Sequence, residues 1–232
     1  MIRIIKNFYD DPAEMVEKAV ASRYQLISNG NYPGKDSLDR MFTTPELTSK
    51  LERVFPCDKY KMTCSRFRYS LEDDTYMSYV HADNPGRHRG WHVLIYLTKN
   101  SPFKDGLTLY EKNSTGQRYW KDEEEEQNWD FPTWKPWKEV EYEYNQALIV
   151  DYSYFHAPMN RGGFGNSIEN SRILHIIEVV DIQRSTDKDG HLVKSVGMTE
   201  HHHPYSRENH HETLLGSDAK TASYERIEYL EN

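Results

Sequence analysis

A histidine and an aspartate two residues apart, followed much later by a second histidine, are the residues in this chain best suited to chemistry. His81 and Asp83 flank a single alanine, and His156 lies in the second half of the sequence. Alternate residues of a β-strand project from one face, so His81 and Asp83 can bind one metal ion together. With His156, the candidate ligand set contains two imidazoles and one carboxylate. This ligand set leaves coordination positions open for a co-substrate and dioxygen and is typical of non-haem Fe(II) oxygenases.

Arg172 adds an anion-binding group to this set. It opens the apolar segment 173–177, and a buried guanidinium is costly unless it meets an anion. The pattern therefore predicts a buried carboxylate ligand, such as a dicarboxylate, beside Arg172. Two alternatives stay open: Arg161 could be the carboxylate partner instead, and His175 could replace His156 as a metal ligand.

The elements that must position these residues are mostly predicted β-strands. Short segments rich in β-branched and aromatic residues, separated by turn signals, occur at 2–5, 61–70, 77–82, 91–97, 106–111, 140–144, 147–152 and 172–182. No helix is predicted between the strands of the second half of the chain. A long series of strands of this kind is typical of a sandwich or barrel, and a jelly roll fits it.

Two helices are predicted before this β-rich part. Asp11, Pro12 and Glu14 supply an N-cap, a first-turn proline and a capping-box glutamate, so a helix should run from Pro12 to Arg23. A second helix should begin at Thr44-Pro45, with apolar residues at helical spacing. We expect both helices to pack on the sheet.

The length of 232 residues fits one domain. We place it at 1–190, with 1–58 as helical support and 61–182 as the β core. The segment 191–232 is polar and is interpreted as a C-terminal extension. Its histidine-rich stretch, 201–211, is interpreted as part of that tail and not as a second metal site.

Several segments could contribute to substrate binding. The tryptophan-rich segment 121–138 is predicted to be a long insertion loop, and its part 129–137 is a candidate lid, as is 29–36. Arg66 and Arg68 alternate on one predicted strand, so they share a face. Either could bind a substrate carboxylate or pair with surface acids.

Composition narrows the partners and the compartment. The chain has 29 basic and 37 acidic residues, a net charge of −8, which argues against nucleic-acid binding. We find no long apolar run typical of a membrane span and no signal-peptide pattern, so we expect a cytoplasmic protein that does not bind membranes. Cys57 and Cys64 are then expected to be reduced thiols. Nothing in the sequence indicates an oligomeric state.

Three segments together carry a resemblance to a known family. They are Y-V-H-A-D-N-P-G at 79–86, W-H-V-L-I-Y-L-T at 91–98 and D-G-L-T-L-Y at 105–110. They resemble the prolyl-hydroxylase branch of the Fe(II)/2-oxoglutarate-dependent dioxygenases, a superfamily built on a double-stranded β-helix, or jelly roll. The resemblance covers roughly 67–180. It departs from that branch in the longer spacing between His156 and Arg172.

The resemblance implies a site and an activity. The implied residues are the iron ligands His81, Asp83 and His156, the 2-oxoglutarate-binding Arg172, and the co-substrate-binding tyrosines Tyr96 and Tyr69. The implied reaction uses O2 and 2-oxoglutarate to hydroxylate an amino-acid-like C–H bond in a small molecule or peptide, with release of succinate and CO2. Asp83 favours hydroxylation, because halogenating members lack this carboxylate. Two other hypotheses are a non-catalytic jelly-roll binding protein and a cupin-like metalloenzyme that does not use 2-oxoglutarate.

Overall fold

The strands form two antiparallel sheets, and two helices lie on one side of them. A computed structural model describes residues 1–26, 34–74, 80–83, 89–104, 106–120, 133–159 and 163–182. The elements are β1 (Ile2–Ile5), α1 (Pro12–Ala21), β2 (Tyr24–Leu26), β3 (Lys35–Ser37), α2 (Pro45–Val54), β4 (Tyr60–Ser70), β5 (Gly90–Tyr96), β6 (Leu107–Lys112), β7 (Trp134–Val140), β8 (Ala147–Asp151), β9 (His156–Pro158) and β10 (Arg172–Asp181). Neither helix in these ranges is both long and apolar enough to cross a membrane.

The larger sheet has seven strands in the order β1-β8-β5-β10-β4-β3-β2, and the smaller sheet has three in the order β7-β6-β9. β10 lies near the middle of the larger sheet and pairs with β5 on one side and β4 on the other. Every residue of β10 is buried, as expected for a strand covered on both faces. The prediction of a mainly β fold with two N-terminal helices is confirmed.

Both helices begin where the sequence predicts. The side chain of Asp11 accepts hydrogen bonds from the backbone N–H groups two and three residues later, at 3.1 and 3.2 Å. Thr44 accepts one from the N–H of Leu47 at 3.1 Å. These caps satisfy N–H groups that have no partner within the helix, and proline occupies the first helical position in each case. α1 ends at Ala21, two residues before the predicted end.

The larger sheet is covered on both faces. The helix-facing side packs through Met15, Ala19, Leu47 and Leu51 of the helices and Phe67, Val93, Ile95, Ile149, Ile173 and Ile177 of the strands. The opposite side packs against the smaller sheet through Tyr96, Leu148, Val150, Leu174 and Ile176, which meet Leu107, Leu109 and Val140. Alternate residues of one strand take opposite faces. Arg172 of β10 therefore shares the inter-sheet side with Leu174 and Ile176.

Some predicted strand boundaries are wrong. β7 occupies 134–140, and its first five residues lie in the predicted insertion loop 121–138. The predicted strand 140–144 is wrong beyond Val140, because 141–144 form a non-strand segment and the start of a turn. Among the described strands, β7 pairs with β6 alone, and Pro136 lies beside a register shift in that pairing. Proline is tolerated on such an edge strand or bulge, although it makes the segment look like a loop in the sequence. β2, β3 and β9 were not predicted, and each has only three residues.

Part of the sequence predictions falls outside the described residues. This applies to 77–79 of one predicted strand, to 29–33 and 121–132 of the candidate lid and insertion segments, and to the polar tail 191–232. The division into a domain at 1–190 and an extension stays a prediction. Both cysteines are free, as expected.

A buried neutral histidine should make the fold sensitive to acid. The Nδ1 of His175 lies 2.7 Å from the hydroxyl of Tyr9, and its Nε2 lies 2.7 Å from the hydroxyl of Ser65. Burial lowers the pKa of His175 from 6.5 to about 3. The unfolded chain therefore takes up this proton first as the pH falls. We expect the stability from neutral His175 to be complete above its unfolded pKa and to fall by about 1.4 kcal/mol per pH unit below it, until the folded pKa is reached.

Urea unfolding of the wild type and of His175→Gln between pH 7.5 and 5 checks this expectation. The free energy of unfolding should fall more steeply with acid in the wild type, because glutamine does not titrate. Parallel curves for the two proteins would contradict the assignment of this acid sensitivity to His175.

Candidate metal centre

The three predicted metal ligands meet in one buried cluster. His81, Asp83 and His156 each place one donor atom within 4.8 Å of the others. Nε2 of His156 lies 3.1 Å from Oδ2 of Asp83, and Nε2 of His81 lies 3.6 Å from Oδ1. Two imidazoles and one carboxylate at this spacing can hold one divalent ion while leaving other coordination positions open.

Backbone pairing places the two histidines side by side. The N–H of His81 donates to the carbonyl of His156 at 3.0 Å, and the N–H of His156 donates to the carbonyl of His81 at 2.8 Å. Their ring centroids are 4.5 Å apart. Residues directly opposite on antiparallel backbones present their side chains on the same side. Because His156 also pairs with Leu109 of β6, the smaller sheet anchors this pair.

A carbonyl sets the tautomer of His156. Its Nδ1 lies 2.9 Å from the carbonyl oxygen of Tyr154, and a carbonyl can only accept a hydrogen bond. Nδ1 therefore carries the proton in neutral His156, which leaves the lone pair of Nε2 for a metal ion. Such a partner on the second ring nitrogen is typical of metal-binding histidines.

The Asp83 carboxylate is surrounded by imidazoles. In addition to its two partners in the cluster, its Oδ2 lies 2.9 Å from Nδ1 of His92. Burial on its own raises the pKa of Asp83, but His92 and His156 outweigh burial and hold this pKa well below its usual value. Burial likewise lowers the pKa of His92, but Asp83 outweighs it and raises the pKa to about 9. Asp83 is therefore ionised and able to bind a cation.

His92 also belongs to a chain of buried charges, which we call the buried charge network. Its members are Asp36, Arg66, Arg68, His92 and Glu178. Nε2 of His92 lies 3.7 Å from Oε1 of Glu178, which lies 2.5 Å from Nη1 of Arg66. Asp36 pairs with Nε of Arg66 at 2.8 Å and with Nε of Arg68 at 2.6 Å. The sequence predicts that these arginines bind a substrate carboxylate or pair with surface acids. In the structure their acidic partners, Asp36 and Glu178, are buried.

Asp36 should be the most stabilising acid of this network. It is 3% exposed, and Arg68 and Arg66 lower its pKa to about 2 against the opposing effect of burial. Asp36→Asn removes a charge shared by two buried guanidinium groups, so we expect a loss of about 3–5 kcal/mol in the free energy of unfolding. Denaturant unfolding measures this, with Asp58→Asn at an exposed site as the matched control. A loss for Asp36→Asn no larger than that for the control would contradict the expectation.

Arg172 and Tyr96 lie on the inter-sheet side and are both buried, at 7% and 0% exposure. Burial raises the pKa of Tyr96, and the charge of Arg172 partly opposes the rise. Tyr96 pairs with Leu174, two residues after Arg172 on the same face of β10. Within the described part of the chain, neither Nε of Arg172 nor the hydroxyl of Tyr96 has a hydrogen-bond partner. Nη2 of Arg172 reaches the carbonyl of Gly106 at 3.5 Å. Unsatisfied buried groups cost about 1–3 kcal/mol each, and an anion bound between them would remove that cost.

Two other candidates predicted from the sequence, Tyr69 and His175, are not brought to this cluster. Tyr69 packs edge-on against Tyr24 at 4.7 Å and lies under the ammonium group of Lys35 at 5.6 Å, in the core that faces the helices. Tyr69 alternates with Arg68 along β4, which places it on the other face of the sheet. His175 lies on that face too, and both its ring nitrogens have partners. Arg161 is outside the described residues.

Sequence reasoning missed His92 and Glu178. Both interrupt otherwise apolar strands, and an ionisable residue in a buried strand needs a partner. Period-two alternation could have located them, because His92 lies four residues before Tyr96 on β5 and Glu178 lies six residues after Arg172 on β10. Both therefore share the inter-sheet side with Arg172 and Tyr96.

No protein-family model matches the chain, and no curated protein matches it. Solved structures are similar to it at low identity. HygX from Streptomyces hygroscopicus, with nickel, 2-oxoglutarate and hygromycin B bound, is 11% identical with a TM-score of 0.49, over 78% of this chain and 82% of that chain. A 2OG-Fe(II) oxygenase family oxidoreductase from Burkholderia pseudomallei is 9% identical with a TM-score of 0.45, over 77% and 84%.

A third similar structure is a prolyl hydroxylase from Trichoplax adhaerens in complex with a hypoxia inducible factor peptide. It is 15% identical with a TM-score of 0.44, over 78% of this chain and 82% of that chain. The second and third names are those of the superfamily and the branch that the sequence resembles. Because all three TM-scores are below 0.5, the function has to be inferred from the residues of this chain.

Proposed function

We propose that this protein is an Fe(II)- and 2-oxoglutarate-dependent dioxygenase that hydroxylates an amino-acid-like C–H bond. The observation that carries the proposal is the convergence of His81, Asp83 and His156, whose donor atoms lie within 4.8 Å of one another. The substrate is a free amino acid, another small molecule or a peptide residue. Its class follows from the resemblance of 79–86 and 91–98 to the prolyl-hydroxylase branch.

The donor set fits Fe(II). It contains two imidazole nitrogens and one ionised carboxylate, the combination that non-haem iron oxygenases use. The contact of Nδ1 with the Tyr154 carbonyl orients His156 so that its Nε2 lies in the cluster, 3.1 Å from Oδ2 of Asp83. When bound, Fe(II) supplies the redox centre at which dioxygen reacts with a keto acid. The chain supplies the ligands and buries them away from bulk water.

Arg172 and Tyr96 are the proposed partners of the distal carboxylate of 2-oxoglutarate. Their unsatisfied Nε and hydroxyl are both buried, and a guanidinium binds a carboxylate through two parallel hydrogen bonds. Each turnover converts one C–H bond, O2 and 2-oxoglutarate into C–OH, succinate and CO2. A cupin-like metalloenzyme without 2-oxoglutarate would leave this arginine with no anionic partner.

A double-stranded β-helix, or jelly roll, is part of the same proposal. Two antiparallel sheets that share an apolar core support it. The backbone bridge between His81 and His156 adds a pairing at the open side of β9. In this proposal the metal ligands lie between the sheets, on the side where the larger sheet carries Arg172, Tyr96 and His92.

Succinate formation tests the proposal. Purified protein is incubated with Fe(II), 2-oxoglutarate and O2, alone and with free amino acids and short peptides. We expect succinate that depends on Fe(II), is increased by one substrate class, and accompanies a product heavier by one oxygen atom. His175→Gln serves as the control, because its side chain lies on the other face of the sheet. If succinate never exceeds the iron-free background, as a non-catalytic binding protein requires, the proposal fails.

A further inference from the structure

We propose that His92 is a positioning residue that holds the Asp83 carboxylate in its metal-binding orientation. The inference rests on the proposed function, because it takes Asp83 as a ligand of the iron. His92 does not itself bind the metal in this account. Its Nδ1 makes an ion-pair contact of 2.9 Å with Oδ2 of Asp83, and the buried charge network holds His92 in turn.

The contacts around Asp83 support this role. Nδ1 of His92 lies 2.9 Å from Oδ2 of Asp83, the shortest of the three imidazole contacts to this carboxylate, followed by His156 at 3.1 Å and His81 at 3.6 Å. His92 approaches from β5 of the larger sheet, whereas His156 belongs to β9 of the smaller sheet. The carboxylate therefore contacts imidazoles from both sheets, and Oδ2 lies close to His92 and to His156.

His92 is itself held on several sides. Nε2 of His92 lies 3.7 Å from Oε1 of Glu178, and that oxygen lies 2.5 Å from Nη1 of Arg66. The ring of Tyr152 packs edge-on against the His92 ring, with centroids 4.7 Å apart. His92 is 7% exposed. These contacts leave the imidazole little freedom to turn its Nδ1 away from Asp83.

A fixed carboxylate matters because an aspartate side chain can rotate about its terminal bond, and each wrong orientation lowers metal affinity. Outer partners that orient a metal ligand typically change metal affinity or activity by about 10–100-fold when they are removed. His92 is such a partner for Asp83, as the Tyr154 carbonyl is for His156. The buried charge network thus has a role beyond stability, because it extends from Asp36 on β3 to the metal centre.

Co(II) binding tests this role without 2-oxoglutarate or turnover. His92→Phe keeps a ring against Tyr152 and removes the donor to Asp83. We expect its Co(II) dissociation constant, measured by calorimetry, to rise by about 10–100-fold, with altered visible d–d bands of the bound Co(II). His92→Gln restores an N–H donor and should recover much of the affinity and the wild-type bands. His175→Gln, at a buried histidine on the other face, should bind Co(II) as the wild type does.

A His92→Phe protein that binds Co(II) within twofold of the wild type, with unchanged bands, would overturn the inference. If this variant does not fold, nitrogen-15 NMR of the zinc-loaded wild type decides, since Nδ1 of His92 must carry a proton that exchanges slowly. An unprotonated Nδ1 also overturns the inference. The proposed function fails separately, when the wild type itself binds no divalent metal.

Discussion

His81→Ala, Asp83→Ala and His156→Ala should each abolish 2-oxoglutarate turnover. Each substitution removes one of the three donors that lie within 4.8 Å of one another. A bound metal ion contributes several kcal/mol to such a reaction, and each 1.36 kcal/mol is a factor of ten in rate. We therefore expect a loss of roughly 1,000-fold or more in succinate formation. The measurement is succinate release at saturating Fe(II) and 2-oxoglutarate.

The control for this series is a histidine of equal burial that is not a ligand. His175 and His81 are both fully buried, at 0% exposure, but His175 lies on the helix-facing side. His175→Gln should keep succinate formation close to that of the wild type at neutral pH. If any one of the three ligand variants retains a tenth of the wild-type rate, that residue is not a metal ligand.

Arg172→Gln is expected to weaken 2-oxoglutarate binding and to leave metal binding unchanged. A hydrogen bond to a charged group contributes about 1.5–3 kcal/mol, so the Michaelis constant for 2-oxoglutarate should rise by about 10–100-fold. Arg172→Lys keeps the charge but loses the planar pair of donors. Its Michaelis constant for 2-oxoglutarate should therefore lie between those of the wild type and Arg172→Gln. The affinity for Co(II), measured without 2-oxoglutarate, should match that of the wild type for both variants.

Tyr96→Phe should weaken binding of the same 2-oxoglutarate carboxylate less than Arg172→Gln does. It removes only the hydroxyl, whose oxygen is buried and has no partner in the described part of the chain. The expected rise in the Michaelis constant is threefold to tenfold, from about 0.5–1.5 kcal/mol for a neutral hydrogen bond. An Arg172→Gln variant with an unchanged Michaelis constant would remove Arg172 from the 2-oxoglutarate site and reopen the case for Arg161.

The sequence predicts the elements with strong local signals and misses those defined by pairing. β1 and the starts of both helices are found because three of the four residues of Ile2–Ile5 are isoleucines and because Asp11 and Thr44 act as caps. β9 has three residues and is defined by its pairing with β6. β7 contains a proline and two lysines, of which Lys135 is exposed, and its pairing partner cannot be read from its own sequence.

The same limit applies to the site. The spacing of His81 and Asp83 predicts that they act together, and the structure brings them to His156. Tyr69 was assigned from the resemblance, yet its register relative to Arg68 places it on the helix-facing side. His92 and Glu178 were missed because their partners come from other strands, so their roles depend on the register of β5 with β10.

The most direct test of the metal centre is a visible absorption spectrum recorded without oxygen. Fe(II) and 2-oxoglutarate are added in turn to the wild-type protein and to His81→Ala, and the difference spectra are compared. Chelation of a protein-bound Fe(II) by the keto acid should produce a weak metal-to-ligand charge-transfer band in the wild type, and His81→Ala should not produce it. A wild-type protein that binds both components without this band, or a His81→Ala variant that shows it in full, would contradict the proposed iron site.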